Sequence, residues 1–194
     1  MMPTRPSEGK SDKKPPLLPV DQALTAILAL LPQTTTATKP LDKALGFTLA
    51  EDLVAVLTLP PQAVSAMDGY AVRAADVTSF PCKLTRIAES AAGHPWTGKI
   101  DAGQAVRVFT GAAVPDGADT IVIQEDVDPV AEQDNVEITV RSAEITGRYI
   151  RPAGLDINAG QVILPVGTLL SARAIGLAIA AGLTHASVRM RPRV

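Results

Sequence analysis

Residues 59–76, LPPQAVSAMDGYAVRAAD, stand between two kinds of sequence and decide how the chain is divided. Before Pro60 and Pro61 the chain is rich in Leu and Ala. After them, short segments rich in Val, Ile and Thr are separated by Gly, Pro and Asp. Short runs of this kind, bounded by turn-forming residues, are typical of β-strands. The sequence therefore predicts that a β domain begins just after the two prolines.

Four segments beyond this boundary are predicted to form strands. They are KLTRIAE (83–89), AVRVFT (105–110), DTIVIQE (119–125) and VEITV (136–140). In the last of these, Val136, Ile138 and Val140 alternate with Glu137 and Thr139. Alternation of this kind gives a strand one buried face and one wet face. We therefore expect residues 136–140 to form an antiparallel strand at the surface.

Helical patterns flank the β region. Apolar residues recur at helical spacing from Val20 to Leu31, with Asp21 in the first turn, and Pro32 is expected to end this helix. Towards the other end, Ser171 is placed to cap a second helix that ends near Gly182.

The simplest organisation is an α+β, β-rich fold of two domains. A mixed linker domain with helices is predicted at 18–61 plus 143–185, and an inserted β domain at 62–142. Residues 1–17 are polar, Pro-rich and basic, and we expect a disordered tail. Residues 186–194 alternate like the start of a further strand.

Composition excludes several classes of protein. The chain has 194 residues, a formal net charge of −2 and only 3% aromatic residues, which argues against nucleic-acid binding by basic and aromatic clusters. It has one Cys and two His, too few for a disulfide frame or a Cys/His zinc site. No apolar run reaches the roughly 18 residues of a membrane span. We expect a cytoplasmic protein.

Asp68 and Gly69 allow two interpretations. Asp-Gly between apolar residues is a strong signal for a type I′ hairpin turn, in which both central residues need positive φ. The preceding residues, Ser65, Ala66 and Met67, are small or unbranched, whereas a hairpin favours branched strand formers. This lead-in suits a loop that lets a ligand approach the Asp68 carboxylate.

The segment FTGAAVPDGAD, residues 109–119, is equally ambiguous. It reads most simply as a hairpin loop with a Pro-Asp-Gly turn. Alternatively, the Thr110 hydroxyl and the backbone N–H groups exposed at Gly111 could bind an oxyanion or a phosphate. The pattern of a nucleotide-binding P-loop is absent.

A third segment, RYIRPAGLDINAG, contains Arg151 and Asp156. Arg151 could bind a phosphate or carboxylate bidentately, or it could pair with Asp156 and hold the loop. The acidic run QEDVDP, residues 124–129, lacks the spacing of a calcium loop and is interpreted as a solvated loop. Neither His94 nor Cys82 has a partner in spacing, so neither is expected to be catalytic.

Taken together and in this order, the three segments resemble a known family. The chain is similar to the N-terminal part of molybdopterin molybdenumtransferase, the family of MoeA and the gephyrin E domain. The resemblance rests on residues 59–76, on GQAVRVFTGAAVPDGADTIVIQED (103–126) and on residues 150–183, and it extends from Val20 to Val194. It implies an elongated linker domain with an inserted β-barrel-like domain.

The resemblance also implies a reaction and its participants. Members of this family insert molybdate into adenylylated molybdopterin, use a divalent cation such as Mg²⁺, and release AMP. It implies three catalytic residues: Asp68, Thr110 and Asp156. Four more are expected to bind substrate: Ser65, Gly69, Gly111 and Arg151. Asp68 or Asp156 could hold the metal, while Thr110 would orient; a homodimer and contact with the molybdopterin adenylyltransferase are further implied.

Two departures from the family pattern qualify this expectation. Leu155 stands where the family has an acid, which removes one negative charge from the loop. The family's third domain should begin near residues 186–194, so we expect this chain to supply one wall of the active site and to be inactive alone. The alternative is a non-catalytic dimerising or scaffold module that completes the site of a separately encoded partner.

Overall fold

The computed structural model describes residues 17–31, 34–128 and 133–192. The predicted disordered tail, residues 1–17, lies outside the described residues except for Leu17. The chain forms two compact units; the larger is Thr36–Arg191, and the smaller contains the first helix. Among the described residues, no helix is both long enough and apolar enough to cross a membrane.

Both predicted helices are present. Helix α1 (Val20–Leu30) has Asp21 in its first turn, and none of its residues is buried. Helix α2 (Ala172–Ala180) begins after Ser171, whose Oγ accepts a hydrogen bond from the Ala174 amide at 3.2 Å. This side-chain cap satisfies one of the free N–H groups of the first turn, as the sequence predicted.

Twelve strands complete the described secondary structure, with short 3₁₀ turns between some of them. In chain order they are β1 (Thr36–Pro40), β2 (Thr48–Leu49), β3 (Leu53–Val54), β4 (Val64–Ser65), β5 (Gly69–Val72), β6 (Cys82–Ser90), β7 (Gln104–Val108), β8 (Thr120–Ile123), β9 (Val136–Val140), β10 (Ile150–Arg151), β11 (Val162–Leu164) and β12 (His185–Arg189).

The largest sheet has five strands in the order β8-β5-β7-β6-β9. The β6–β7 pair is parallel and the other three pairs are antiparallel. All four strands predicted beyond the prolines lie in this sheet. As expected, β9 is an antiparallel strand with Ile138 and Val140 buried and Glu137 exposed, and it lies at an edge of the sheet.

The β-rich α+β class is therefore confirmed, whereas a closed barrel is not formed by the strands described. The hydrogen-bonded order ends at β8 on one side and at β9 on the other. An isolated antiparallel bridge joins Val140 of the edge strand β9 to Val127, which lies four residues after the end of β8.

Hydrophobic side chains cover both faces of the five-stranded sheet. Because side chains alternate along a strand, neighbouring residues of β5 belong to different clusters. Tyr70 and Val72 pack with Val122 and Ile138 on one face, and Ala71 lies in the cluster on the other. Burial on both faces fixes the register of β5, because a slip of one residue would exchange the two sets.

A separate three-stranded sheet packs against α2. Strand β12 lies between β1 and β2 and pairs antiparallel with both. Residues 186–189, which the sequence assigned to the start of a further domain, are thus part of the middle strand of this sheet. Its core includes Leu49, Leu170, Ala178 and Val188. The antiparallel pairs β3–β11 and β4–β10 each join a strand within residues 53–65 to a strand within residues 150–164.

Candidate functional site

The three sequence segments meet at β4. On one side, Ile150 and Arg151 of β10 pair with Ser65 and Val64. On the other, the Ser65 amide donates to the Ala112 carbonyl, and the Gly111 amide donates to the Ser65 carbonyl, both at 2.9 Å. Residues 64–65 therefore bring the Asp68, Thr110 and Arg151 regions of the chain into one neighbourhood.

The loop between β4 and β5 is held at both ends. Ser65 is 1% exposed; its Oγ donates to the Met67 carbonyl at 2.6 Å and accepts from the Met67 amide at 3.3 Å. The Asp68 carbonyl accepts from the Gln124 amide at 3.1 Å. These bonds fix the backbone on either side of the Asp68 side chain, so Ser65, predicted to bind substrate, is buried and holds the turn.

The hairpin interpretation of Asp68 and Gly69 is wrong. Strand β4 pairs with β10, and β5 pairs with β7 and β8, so the flanking strands do not pair with each other. Neither Asp68 nor Gly69 has positive φ. Glycine is required at position 69 for another reason: a Cβ there would collide with the Val122 carbonyl oxygen on the neighbouring strand.

Asp68 and Thr110 form the centre of the candidate site. Oδ1 of Asp68 accepts from the Thr110 amide at 2.7 Å and from the Thr110 hydroxyl at 2.8 Å. These two bonds, together with the charge of Arg107, hold the pKa of Asp68 below its ordinary value. The carboxylate is therefore ionised at neutral pH, and no hydrogen bond from a described residue reaches its Oδ2.

The loop after β7 is neither a hairpin nor a backbone oxyanion site. Strand β5 lies between β7 and β8, so the loop crosses over it. The amides of Thr110, Gly111 and Ala112 donate to Asp68, Ser65 and Phe109, respectively. With these donors engaged, the backbone N–H groups predicted to bind an anion are not free, and Gly111 instead supplies the positive φ (83°) of the turn.

Arg107 is a site residue that the motif analysis missed. It lies opposite Tyr70 in the β5–β7 pair, and its guanidinium is 5.1 Å from the Tyr70 ring centroid and 5.0 Å from that of Phe109. Nη1 donates to the Gly69 carbonyl at 3.3 Å, and Nη2 donates to Oε1 of Gln124 at 2.6 Å. A charged residue within the apolar strand AVRVF was the available signal.

Arg151 and Asp156 pair with each other. Nη2 of Arg151 lies 2.8 and 2.6 Å from the two carboxylate oxygens of Asp156, and both side chains are about half exposed. The Asp156 amide donates to the Leu59 carbonyl at 2.9 Å, which ties the loop to the chain before β4. Among the described residues, no hydrogen bond or ion pair joins this pair to Asp68 or Thr110.

The described residues contain no group of three or more His, Cys, Asp or Glu side chains able to hold a metal ion by themselves. In the acidic run, Asp128 pairs with Arg141 at 3.1 Å. Burial, and secondarily the charge of Asp76, raises the pKa of Cys82, which disfavours the thiolate of a nucleophile.

Comparison with known proteins defines the class. Residues 18–182 match the family model "MoeA N-terminal region (domain I and II)", and the chain belongs to this family.

Curated relatives agree. A molybdopterin molybdenumtransferase 2 of Mycobacterium tuberculosis is 37% identical over 161 residues, covering 81% of this chain and 39% of the relative. A molybdopterin molybdenumtransferase of Bacillus subtilis is 30% identical over 187 residues, covering 94% of this chain and 43% of the relative. The chain thus spans about two-fifths of these relatives.

A solved structure shares the fold. The crystal structure of a molybdopterin biosynthesis MoeA protein from Pyrococcus horikoshii OT3 superposes with a TM-score of 0.82 at 32% identity. The match covers 91% of this chain and 47% of that one.

Proposed function

We propose that this chain functions in molybdenum cofactor biosynthesis, supplying one wall of a site at which molybdate is inserted into adenylylated molybdopterin with release of AMP. The observation that carries the proposal is the Asp68–Thr110 pair, which joins residues 42 positions apart and leaves one carboxylate oxygen without a hydrogen bond from any described residue.

The roles of the two residues follow from their hydrogen bonds. The Thr110 hydroxyl donates a hydrogen bond to Asp68, so the hydroxyl has no further proton to donate. Its oxygen can still accept a hydrogen bond or coordinate a cation. Asp68 keeps Oδ2 for the ligand. Thr110 is therefore proposed to orient the carboxylate, and Asp68 to contact the reacting complex directly.

The donor set fits Mg²⁺ shared with the substrate. Mg²⁺ is typically held by one or two carboxylates together with substrate phosphate oxygens and water. Oδ2 of Asp68 provides one hard oxygen, whereas both carboxylate oxygens of Asp156 accept hydrogen bonds from Arg151. We therefore favour Asp68 over Asp156 as the metal ligand. When bound, the ion would neutralise charge on the adenylate phosphate.

Arg151 and Asp156 are proposed to act at the edge of the same site. Their pairing through exposed side chains is weak enough to exchange for a ligand, because exposed ion pairs contribute only about 0–1 kcal/mol. Gly111 would contribute by bringing the backbone of the loop after β7 close to the ligand, and Gly69 by letting β5 lie close to β8 next to Asp68.

We further propose that residues 62–142 are a barrel-like domain inserted into a linker domain formed by 18–61 and 143–185. The Val127–Val140 bridge, which joins the edge strand β9 to the segment that follows β8, supports this organisation. Separate hydrophobic clusters in the two sets of residues support it as well.

The proposed assembly is a cytoplasmic homodimer that receives its substrate from the molybdopterin adenylyltransferase. Exposed aliphatic side chains on α2 and elsewhere in the larger unit favour association. They include Val54, Val56, Leu169, Leu177 and Ile179. Light scattering on the purified chain would test the stoichiometry.

Complementation tests the function. Residues 18–182 would replace the matching region of the Mycobacterium tuberculosis relative, and the chimera would be expressed in bacteria lacking molybdenumtransferase. Restored molybdenum content of the cofactor is expected, with loss on Asp68→Ala. A folded chimera that restores nothing would overturn the proposal.

The scaffold alternative is tested in the same cells. There, this chain would be co-expressed with the remaining C-terminal region of the relative as a separate polypeptide. Activity of the two separate chains that survives Asp68→Ala would favour a dimerising module over a catalytic one.

A further inference from the structure

Arg107 differs from other arginines of the larger unit in its charge partners. Five of them form ion pairs with carboxylates in the structure: Arg73, Arg86, Arg141, Arg148 and Arg151. Arg107, like Arg173 and Arg191, forms none with any described residue, and of these three it is the one whose charge acts on Asp68. Its positive charge is therefore available to a ligand.

The guanidinium of Arg107 is also held in place before any ligand arrives. The Tyr70 and Phe109 rings lie about 5 Å from it, and Gly69 and Gln124 accept from its two terminal nitrogens. Arginine has five N–H donors, and these bonds use two of them. A fixed guanidinium with free donors loses little entropy on binding and matches oxyanions bidentately.

Gln124 links this arginine to the carboxylate. Its side-chain oxygen accepts from Arg107, while its backbone amide donates to the Asp68 carbonyl. Arg107 and Asp68 are thus both hydrogen-bonded to Gln124. They carry opposite charges but form no direct ion pair. This arrangement provides an anion-binding group and a cation-binding group side by side.

We propose that Arg107 binds a tetrahedral oxyanion beside Asp68; this inference rests on the proposed function, in which the oxyanion is molybdate or the adenylate phosphate. The assignment moves oxyanion recognition from the amides of residues 110–112, whose donors are engaged, to a side chain with donors to spare. Mg²⁺ on Oδ2 of Asp68 would offset repulsion between the carboxylate and the anion.

Binding to the 194-residue chain itself tests the proposal. In nitrogen-15 NMR, the Arg107 Nε–H and Thr110 amide signals would be followed during titration with sodium molybdate or with AMP, each with and without MgCl₂. Both signals should shift saturably for at least one anion, and adenosine, which lacks the phosphate, should leave them unchanged. The anion that binds more tightly shows whether Arg107 recognises molybdate or the adenylate phosphate.

Variants assign the effect to the side chain. Arg107→Gln should weaken binding about tenfold or more, the usual effect of losing a charged hydrogen bond. Arg107→Lys keeps the charge and should weaken binding less. Arg148→Gln is the matched control, because Arg148 also lies over a tyrosine ring, at 4.5 Å from Tyr149, but faces Glu144. It should bind like the wild type.

The proposal is overturned if neither anion gives saturable shifts, or if Arg107→Gln and Arg107→Lys both bind as tightly as the wild-type chain. Melting temperatures of the three variants separate lost binding from lost folding. An inactive chimera with intact Arg107-dependent binding would refute the proposed function but not this inference. An active chimera whose chain shows no such binding would remove this inference alone.

Discussion

The amide and hydroxyl of Thr110 both donate to Oδ1 of Asp68, at 2.7 and 2.8 Å. Hydrogen bonds to an ionised acceptor are stronger than neutral ones, and here two of them converge on the same atom. The arrangement fixes the carboxylate and leaves its second oxygen for a ligand. Predictions about Asp68 therefore depend on Thr110.

Thr110→Val should raise the pKa of Asp68 while leaving it below the ordinary value of 3.8, because the larger contribution, the backbone hydrogen bond, remains. Folding lowers this pKa, so the stability that Asp68 contributes is present above the ordinary value and is lost as pH falls through the folded-state pKa. Carboxyl NMR titration measures the shift. Thr110→Ser, which keeps the hydroxyl, should restore it; equal values in all three proteins would refute the prediction.

Asp68→Asn should separate activity from folding. The amide keeps an acceptor oxygen for Thr110 but removes the charge, so activity of the chimera should fall roughly a hundredfold or more, as when one charge-stabilising group is removed. The melting temperature should change by less than about 3 °C. Asp101→Asn, at an exposed carboxylate away from the site, serves as control. A large loss of stability with normal activity per folded molecule would point to a structural role.

Gly69→Ala should destabilise the chain by about 1–3 kcal/mol, because the new methyl group overpacks against the Val122 carbonyl of the neighbouring strand. Denaturant unfolding provides the measurement. Gly176→Ala is the matched control: it lies within α2 with open space around it and should stabilise by about 0.5–1 kcal/mol. Equal effects at the two positions would contradict this account of Gly69.

Ser65→Ala should cost about 1–2 kcal/mol, because it leaves the Met67 amide without the buried hydroxyl that accepts from it. The Asp68 loop should also exchange its amide hydrogens faster. Ser187→Ala removes a hydroxyl that donates to Glu51 at an exposed site and should change stability by less than about 0.5 kcal/mol. Unchanged exchange at residues 66–68 would remove Ser65 from the support of the site.

Arg151 and Asp156 can be tested by a double-mutant cycle with Arg151→Gln and Asp156→Asn. Their coupling in unfolding free energy should be below about 1 kcal/mol, because both side chains are about half exposed. Under the proposed function, each single variant still lowers chimera activity. Full activity in both variants would show that the ion pair only stabilises the loop.

Local features of this protein were predictable from its sequence because their causes are local. The alternation of Val136, Ile138 and Val140 predicted an antiparallel strand at the surface, and Ser171 predicted the start of α2. Turns and caps depend on a few adjacent residues, so their chemistry can be recognised without neighbours from elsewhere in the chain. The motifs also placed Asp68 and Thr110 in one family site.

Strand order decided what the sequence could not. Asp-Gly is a hairpin signal, but β5 lies between β7 and β8, so Asp68 immediately precedes a strand whose partners come from distant segments. The same arrangement engages the amides of Thr110 and Gly111 with Asp68 and Ser65, and it places Arg107 beside Tyr70. Each outcome depends on contacts between residues far apart in the chain, which compete with local turn preferences and here prevail through burial and backbone hydrogen bonding.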